Sequence, residues 1–354
     1  MIAHFLAHPP NGFYTAVSRQ DVPIFATRFN LLTTADPRTK RVFTSLPLYR
    51  WWRRLLNPLT CFVGTTVSEY ALFPPAHEST AITADTLVDQ LMVDYSGCYP
   101  FLIVKDMPHE SPLLDATANA YTQRVAAACA HAGFLMLEGQ ALAYVPIDFN
   151  STDDYLARLS AGRRKDIRRK LRAAAALHLE TVPIGDARFA DAAVRAEFYA
   201  LYLNVYNQSE LQFDLLSPAF FDAVLRDGTS GGIVFIYRHE GRMIGFNLCY
   251  VTRGNLVDKY VGFAYPQARE QSLYFVSWMH NLEYARARGL RHYIAGWTDP
   301  EIKAYLGAKF TFTRHAVYVR NRFLRAVVRF FAPRFERDRA RQEANTNAPS
   351  HHRP

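Results

Sequence analysis

An α/β protein with mixed sheets and two domains is predicted by three observations. Between Gly231 and Phe310, three strand-like runs are followed by a helix, a strand and a short helix. Residues 1–146 also place short strand-like runs around one convincing helix. Finally, 354 residues with 49% hydrophobic content suffice for two cores of ordinary size.

In the first domain, residues 1–146, Phe62-Val-Gly-Thr-Thr-Val67 and Phe101-Leu-Ile-Val104 read as strands and residues 114–131 as a helix that stops at Gly133. Phe134-Leu-Met-Leu137 and Ala143-Tyr-Val-Pro146 follow as strands on either side of Gly139. A second domain spans 147–320. It opens with Asp148-Phe-Asn-Ser-Thr-Asp-Asp154, a capped entry into a helix expected to run to about Leu179. Tyr155, Leu159, Ile167, Leu171 and Ala175 share one face of that helix. A helix over about 187–206 and a Ser217-Pro218 helix start come next.

Gly232–Tyr237 and Met243–Val251 flank the charged turn His239-Glu-Gly-Arg242 as a hairpin, and Leu256–Phe263 adds a third strand. Residues 272–288 carry Leu273, Val276, Met279, Leu282 and Ala285 at three-residue steps and end in Arg286-Ala-Arg-Gly289, a basic last turn with a glycine stop. His292–Trp297 reads as a strand, and Asp299-Pro300-Glu301 starts the last helix of the domain. A basic helix over 321–342 and a polar, disordered tail over 343–354 complete the expected organisation.

The net charge of +9 resides in two segments. Residues 163–172 hold seven bases and one acid, residues 320–341 hold eight bases and two acids, and elsewhere acids slightly outnumber bases. An anionic partner must therefore meet one of these segments. Cys61, Cys98, Cys129 and Cys249 form no CxxC and have no histidine at metal-ligand spacing, so no metal site is expected. No run approaches the roughly 18–20 apolar residues that span a bilayer, and the N-terminus lacks the pattern of a secretory signal. These features suggest a cytoplasmic protein. In the second basic segment, Phe323, Leu324, Val327, Val328 and Phe331 form an apolar stripe beside arginines. That pattern suits peripheral attachment of residues 320–335 to an anionic inner membrane surface.

Three segments resemble the GNAT superfamily, more particularly its Fem-like branch with tandem acyltransferase folds. The basic helix with Arg163-Arg164-Lys165, Ile167, Arg168-Arg169 and Leu171 resembles the one that precedes the C-terminal transferase domain of that branch. Val261-Gly-Phe-Ala-Tyr-Pro266 with Ser272-Leu273 resembles the strand, loop and helix start that receive the acyl donor. Lys303-Ala-Tyr-Leu-Gly-Ala-Lys-Phe310 resembles the late lysine and Gly-aromatic ending. The resemblance implies two GNAT-like domains in tandem, the first degenerate.

It further implies transfer of an acetyl or longer acyl group from coenzyme A by direct attack of a small-molecule or peptidyl amine, or of a hydroxyl. Gly262, Phe263, Arg269, Gln271, Ser272, Leu273 and Lys303 are the implied donor-binding residues, and Tyr305 the implied proton donor. Enzymes of this superfamily that bind coenzyme A usually carry Arg/Gln-x-x-Gly-x-Gly/Ala. Here Gln267-Ala-Arg-Glu-Gln271 stands in that place, with no glycine between Gly262 and Gly289. That departure and the basic helix favour the alternative of a Fem-like transferase using aminoacyl-tRNA. A non-catalytic binding protein on the same fold is the third reading.

Independently of the resemblance, Asp258 and Tyr260 occupy alternate positions of the third strand and are expected on one face next to Gly262. A charge in so apolar a strand needs a role or a partner, so Asp258 is a candidate base and equally a candidate partner of Lys259 or Arg253. Tyr260 joins it as a catalytic candidate.

Overall fold

The structure is a computed structural model that describes residues 1–31, 56–71, 83–209 and 212–326, with positions 41, 45 and 73. The expected tail over 343–354, most of the expected basic helix over 321–342 and the Trp51-Trp52 pair lie outside the described residues. Two compact units divide the chain, one built from 11–141 and 311 onward, the other mainly from 3–10 and 142–310. Their limits fall inside strands, whereas the sequence suggested boundaries at 146/147 and 320/321.

A short helix, α1 (Ile2–Ala7), precedes the first unit's strands β1 (Tyr14–Val17), β2 (Pro23–Arg28) and β3 (Leu59–Val63), which pair antiparallel in that order. Helix α2 (Ala84–Tyr95) then returns the chain to β4 (Phe101–His109), which runs parallel to β3. The Thr83 hydroxyl accepts from the Thr86 amide to start α2, which buries Leu87, Val88 and Leu91 against Val63, Leu102 and Val104. Helix α3 (Ala116–His131), capped by Asp115, leads through Gly133 at a φ of 85° into β5 (Leu135–Pro146).

In the second unit, α4 (Thr152–Ala157) and α5 (Ala161–Leu171) are followed by a single 3₁₀ segment and β6 (Leu177–Pro183). The single helix expected from 155 to 179 is thus broken at 158–160 and ends at Leu171. Residues 177–183 instead form an edge strand that pairs antiparallel with β7 along its whole length, which satisfies backbone groups that a helix end would leave open. Next come α6 (Ala192–Gln208) and α7 (Pro218–Leu225), capped by Asp191 and Ser217 respectively. Strands β7 (Gly232–His239), β8 (Arg242–Thr252) and β9 (Asn255–Phe263) form an antiparallel meander. A short helix α8 (Gln267–Glu270) and the long α9 (Leu273–Ala287) then cross to β10 (His292–Gly296), which is parallel to β9.

Both units therefore repeat one topology, three antiparallel strands with a helix crossing to a fourth, parallel strand. This is a tandem α/β architecture of the GNAT type. Helix α10 (Pro300–Tyr305) and β11 (Lys309–Val319) end the described domain structure, and β11 pairs antiparallel with β4. The end of β5, Ala143–Pro146, pairs antiparallel with β10.

The second core packs Phe235, Tyr237, Leu256, Phe263, Leu273, Trp278, Met279 and Leu282 between sheet and α9. Burying each such side chain contributes roughly 1.5–3 kcal/mol before entropic costs. Among the described residues, no helix is long and apolar enough to cross a membrane.

Candidate active site

The site begins with an extra residue in β9. Leu248 lies opposite Tyr260, yet the next residue of β8, Cys249, lies opposite Asp258, so Lys259 is bulged out of the ladder. One inserted residue reverses side-chain alternation. Tyr260 packs on Tyr202, Phe220 and Phe221 of α6 and α7, whereas Asp258 turns to the α9 face. The expectation that the two share a face is thereby corrected, because strict alternation assumed an unbulged strand.

Asp258 is part-buried and tightly held. Its Oδ2 accepts from Asn247 Nδ2 at 2.7 Å, Asn281 Nδ2 at 3.0 Å and the Tyr293 hydroxyl at 2.9 Å. Its Oδ1 receives only the Cys249 thiol, at 3.6 Å. Removal from water raises its pKa from 3.8 to about 6; the donors and the charge of Lys303 work against that rise. Three donors on one oxygen leave the other as the more available basic atom.

Lys303 comes from α10, whose Pro300 occupies a first-turn position and whose Asp299 adopts φ 53° before it. The residue is only 4% exposed, and among the described residues its ammonium has no ion-pair partner within 4.0 Å. Burial lowers its pKa from 10.5 to about 8, opposed by Asp258 and Asp299. A Cβ added at Gly296, where β10 ends, would meet the Lys303 Nζ at 3.9 Å. Burial thus moves a carboxylate and an ammonium toward neutral pH in one electrostatic pair, the arrangement that general acid–base chemistry requires.

Tyr305 stands two residues further along α10 and is directed elsewhere. Its hydroxyl donates to Asp166 Oδ2 of α5 at 2.9 Å, and burial together with Asp166 raises its pKa. Asp166 in turn is held at about 2 by Lys170 at 2.8 Å and Arg169 at 2.7 Å. The Arg163 guanidinium donates to the Ala304 carbonyl at 3.3 Å. The basic helix therefore packs directly on the turn that carries Lys303. Lys165 and Arg172 have no ion pair among the described residues.

The expected donor loop is closed by its own backbone. The amides of Ala268, Arg269, Glu270, Gln271 and Ser272 all donate to carbonyls of residues 264–269. The Arg269 guanidinium binds Gln208 Oε1 at 2.7 Å and lies 4.8 Å from the centroid of the Tyr265 ring. Ser272 adopts φ 49° without a side-chain cap bond, and Leu273 is buried against Gly245. Phe263 lies in the core, and its carbonyl accepts from Asn204 at 3.0 Å. At Gly262 an added Cβ would collide with Phe246 and lie 2.8 Å from Leu201 Cβ, so this glycine permits close packing of α6. The structure brings Asp258 and Lys303 together, and places Tyr260, Tyr305 and the 262–273 residues in other contacts.

Sequence reasoning missed Asn247, Asn281, Tyr293 and Cys249. Two of them were visible as a signal, since Asn247 interrupts an apolar strand and Asn281 an apolar helix. Both asparagines are fully buried, and their carbonyl oxygens have no donor among the described residues. Among those residues, no group of three or more His, Cys, Asp or Glu side chains forms a metal site.

Comparison with known proteins follows this geometry. The family described as FemAB-like, peptidoglycan biosynthesis/recognition, matches residues 103–353. No curated protein sequence matches. Among solved structures, the chain is similar to the C-terminal domain of a candidate lysylphosphatidylglycerol synthetase from Agrobacterium fabrum, at 14% identity and a TM-score of 0.55 over 91% of this chain and 88% of that one. It is also similar to L-PGS from Bacillus licheniformis, at 10% identity and 0.51 over 94% and 95%. FemX gives 12% identity and 0.51 over 92% and 97%. At these identities the likeness concerns the fold.

Proposed function

Because this chain belongs to the FemAB-like family, we propose that it moves an aminoacyl group from aminoacyl-tRNA to an amine or hydroxyl acceptor, with Asp258 as base and Lys303 as acid. Family and fold support a transferase of the Fem/GNAT type. The Asp258–Lys303 pair carries the reading, since it supplies a carboxylate and an ammonium that both titrate close to neutrality.

In this reaction Asp258 takes the proton from the acceptor nitrogen or oxygen as that atom bonds to the donor carbonyl carbon. The Lys303 ammonium faces the oxyanion that develops there and supplies a proton to the departing 3′ oxygen as the ester bond breaks. Charge and protons balance when Asp258 returns its proton to Lys303. No serine or cysteine stands in a GxSxG-type motif, which agrees with direct transfer.

Three observations support aminoacyl-tRNA as the donor. The loop that would cradle a pyrophosphate has its amides engaged, the basic helix α5 packs on α10, and the buried Asn247 and Asn281 carbonyls suit a group rich in N–H donors such as an α-ammonium. The names of the similar structures, a lysylphosphatidylglycerol synthetase and FemX, lie in accord with this class. Such a donor is met in the cytoplasm. A coenzyme A thioester is the second donor the same chemistry suits, as the fold of the superfamily implies. Incubation with labelled aminoacyl-tRNA or labelled acetyl-CoA, with a mixture of amine and hydroxyl acceptors, separates the two. Label transferred from the tRNA alone supports the proposal, and label transferred from the thioester alone overturns it.

A further inference from the structure

Strand β11 ends at Val319, and the chain is then fixed to the first unit by arginines. The Arg320 amide donates to the Pro100 carbonyl at 3.0 Å, and its guanidinium to the Gly97 carbonyl at 2.7 Å. Arg325 donates twice to the Val319 carbonyl, at 2.9 and 2.7 Å, and covers the Tyr318 ring at 4.5 Å. The Asn321 side chain accepts from the amides of Phe323 and Leu324 at 2.9 and 3.1 Å, which starts a helical turn. This held turn leaves Phe323 87% exposed and Leu324 37% exposed. A large apolar side chain so exposed on an anchored turn calls for a partner.

We propose that Arg320–Leu324, with the apolar stripe that continues from it in sequence, docks this protein on an anionic lipid bilayer. The chemistry of the segment identifies the occupant. Residues 320–335 contain five arginines, and no acid occurs between Arg314 and Glu336. Val327, Val328 and Phe331 continue the helical spacing of Phe323 and Leu324. Arginines beside an apolar stripe match a surface that is negative outside and hydrocarbon within. An RNA partner would reward basic and aromatic side chains through phosphate contacts and base stacking, but gains little from the leucine and valines. The inference is independent of the acyl-transfer reading.

The test is flotation of the full-length chain with vesicles of pure phosphatidylcholine or with about one third phosphatidylglycerol, a content high enough to set a negative surface potential. Wild-type protein is expected to float with the anionic vesicles only, and less in high salt. The double variant F323S/L324S is expected to bind about tenfold more weakly, and R322E at least about tenfold more weakly. Unchanged thermal melting of these surface variants verifies that they fold. Equal flotation of wild type and F323S/L324S overturns the proposal, as does failure of the wild type to float. A parallel tRNA-binding arm identifies the other occupant: if the double variant loses tRNA affinity but floats normally, the surface binds RNA and the proposal fails.

Discussion

Replacing Asp258 by asparagine should make the protein more stable and less active, and the gain should depend on pH. The folded-state pKa of this carboxyl is raised from 3.8 to about 6, so the folded state holds the proton more tightly than the unfolded chain. Ionisation therefore costs folding stability. The cost is absent below the unfolded value, grows as pH rises from about 4 to 6, and is complete above about 7. A shift of about two units at 1.36 kcal/mol each amounts to about 3 kcal/mol, a figure that already contains the attraction to Lys303; partial exposure reduces it to about 2–3 kcal/mol.

Asp258→Asn preserves an oxygen to accept from Asn247, Asn281 and Tyr293 while removing the charge. Urea unfolding of both proteins between pH 4 and pH 8 measures the difference, and a thermal midpoint should rise by roughly 5–10 °C at pH 8. The difference should vanish near pH 4. An asparagine variant that is destabilised at pH 8, or whose effect does not change with pH, refutes the argument that Asp258 is buried at a cost for the sake of chemistry.

Further outcomes follow from the same geometry. Transfer rates should follow a bell, rising as Asp258 ionises near pH 6 and falling as Lys303 deprotonates near pH 8; a profile flat from pH 5 to 9 removes both from acid–base roles. Lys303→Met should lower kcat by about 10²–10³ and move the acidic limb upward, because Asp258 loses its stabilising positive charge; an unmoved limb would show that the two groups are not coupled. Asn281→Leu deletes a donor to Asp258 at 3.0 Å, and should raise the acidic limb by roughly half to one unit, read from the pH dependence of kcat/KM in folded protein. Gly262→Ala should cost about 1–3 kcal/mol in urea unfolding, because its Cβ meets Phe246 and Leu201; unaltered stability contradicts the packing role.

The strand and helix order from Gly232 to Tyr305 was legible because apolar alternation, the His239–Arg242 turn and the Gly289 stop all agree with one another. Helix α5 was legible for its composition, but its end was not. Alanines 173–176 continue a good helix pattern, and only pairing with β7 claims Leu177–Pro183 as a strand. The bulge at Lys259 carries no local signature, so the face of Asp258 had to come from the register of β8 and β9. Lys303 reads as an ordinary surface lysine on a short helix, and its burial results from distant chain segments. Tyr305 was prominent for its place in the motif, yet Asp166, 139 residues earlier, holds its hydroxyl. The closed amides of 268–272 follow from a helical turn that side-chain patterns alone do not reveal.

Single-turnover consumption of labelled aminoacyl-tRNA, followed with wild type, Asp258→Asn and Lys303→Met in the presence of a mixed pool of amine and hydroxyl acceptors, tests the proposed reaction most directly. Label should pass to an acceptor with wild-type protein and slow by at least about a hundredfold in each variant, although both fold. Transfer that proceeds at the wild-type rate in either variant, or wild-type protein that leaves the aminoacyl ester untouched, contradicts the assignment of this buried pair to acyl transfer.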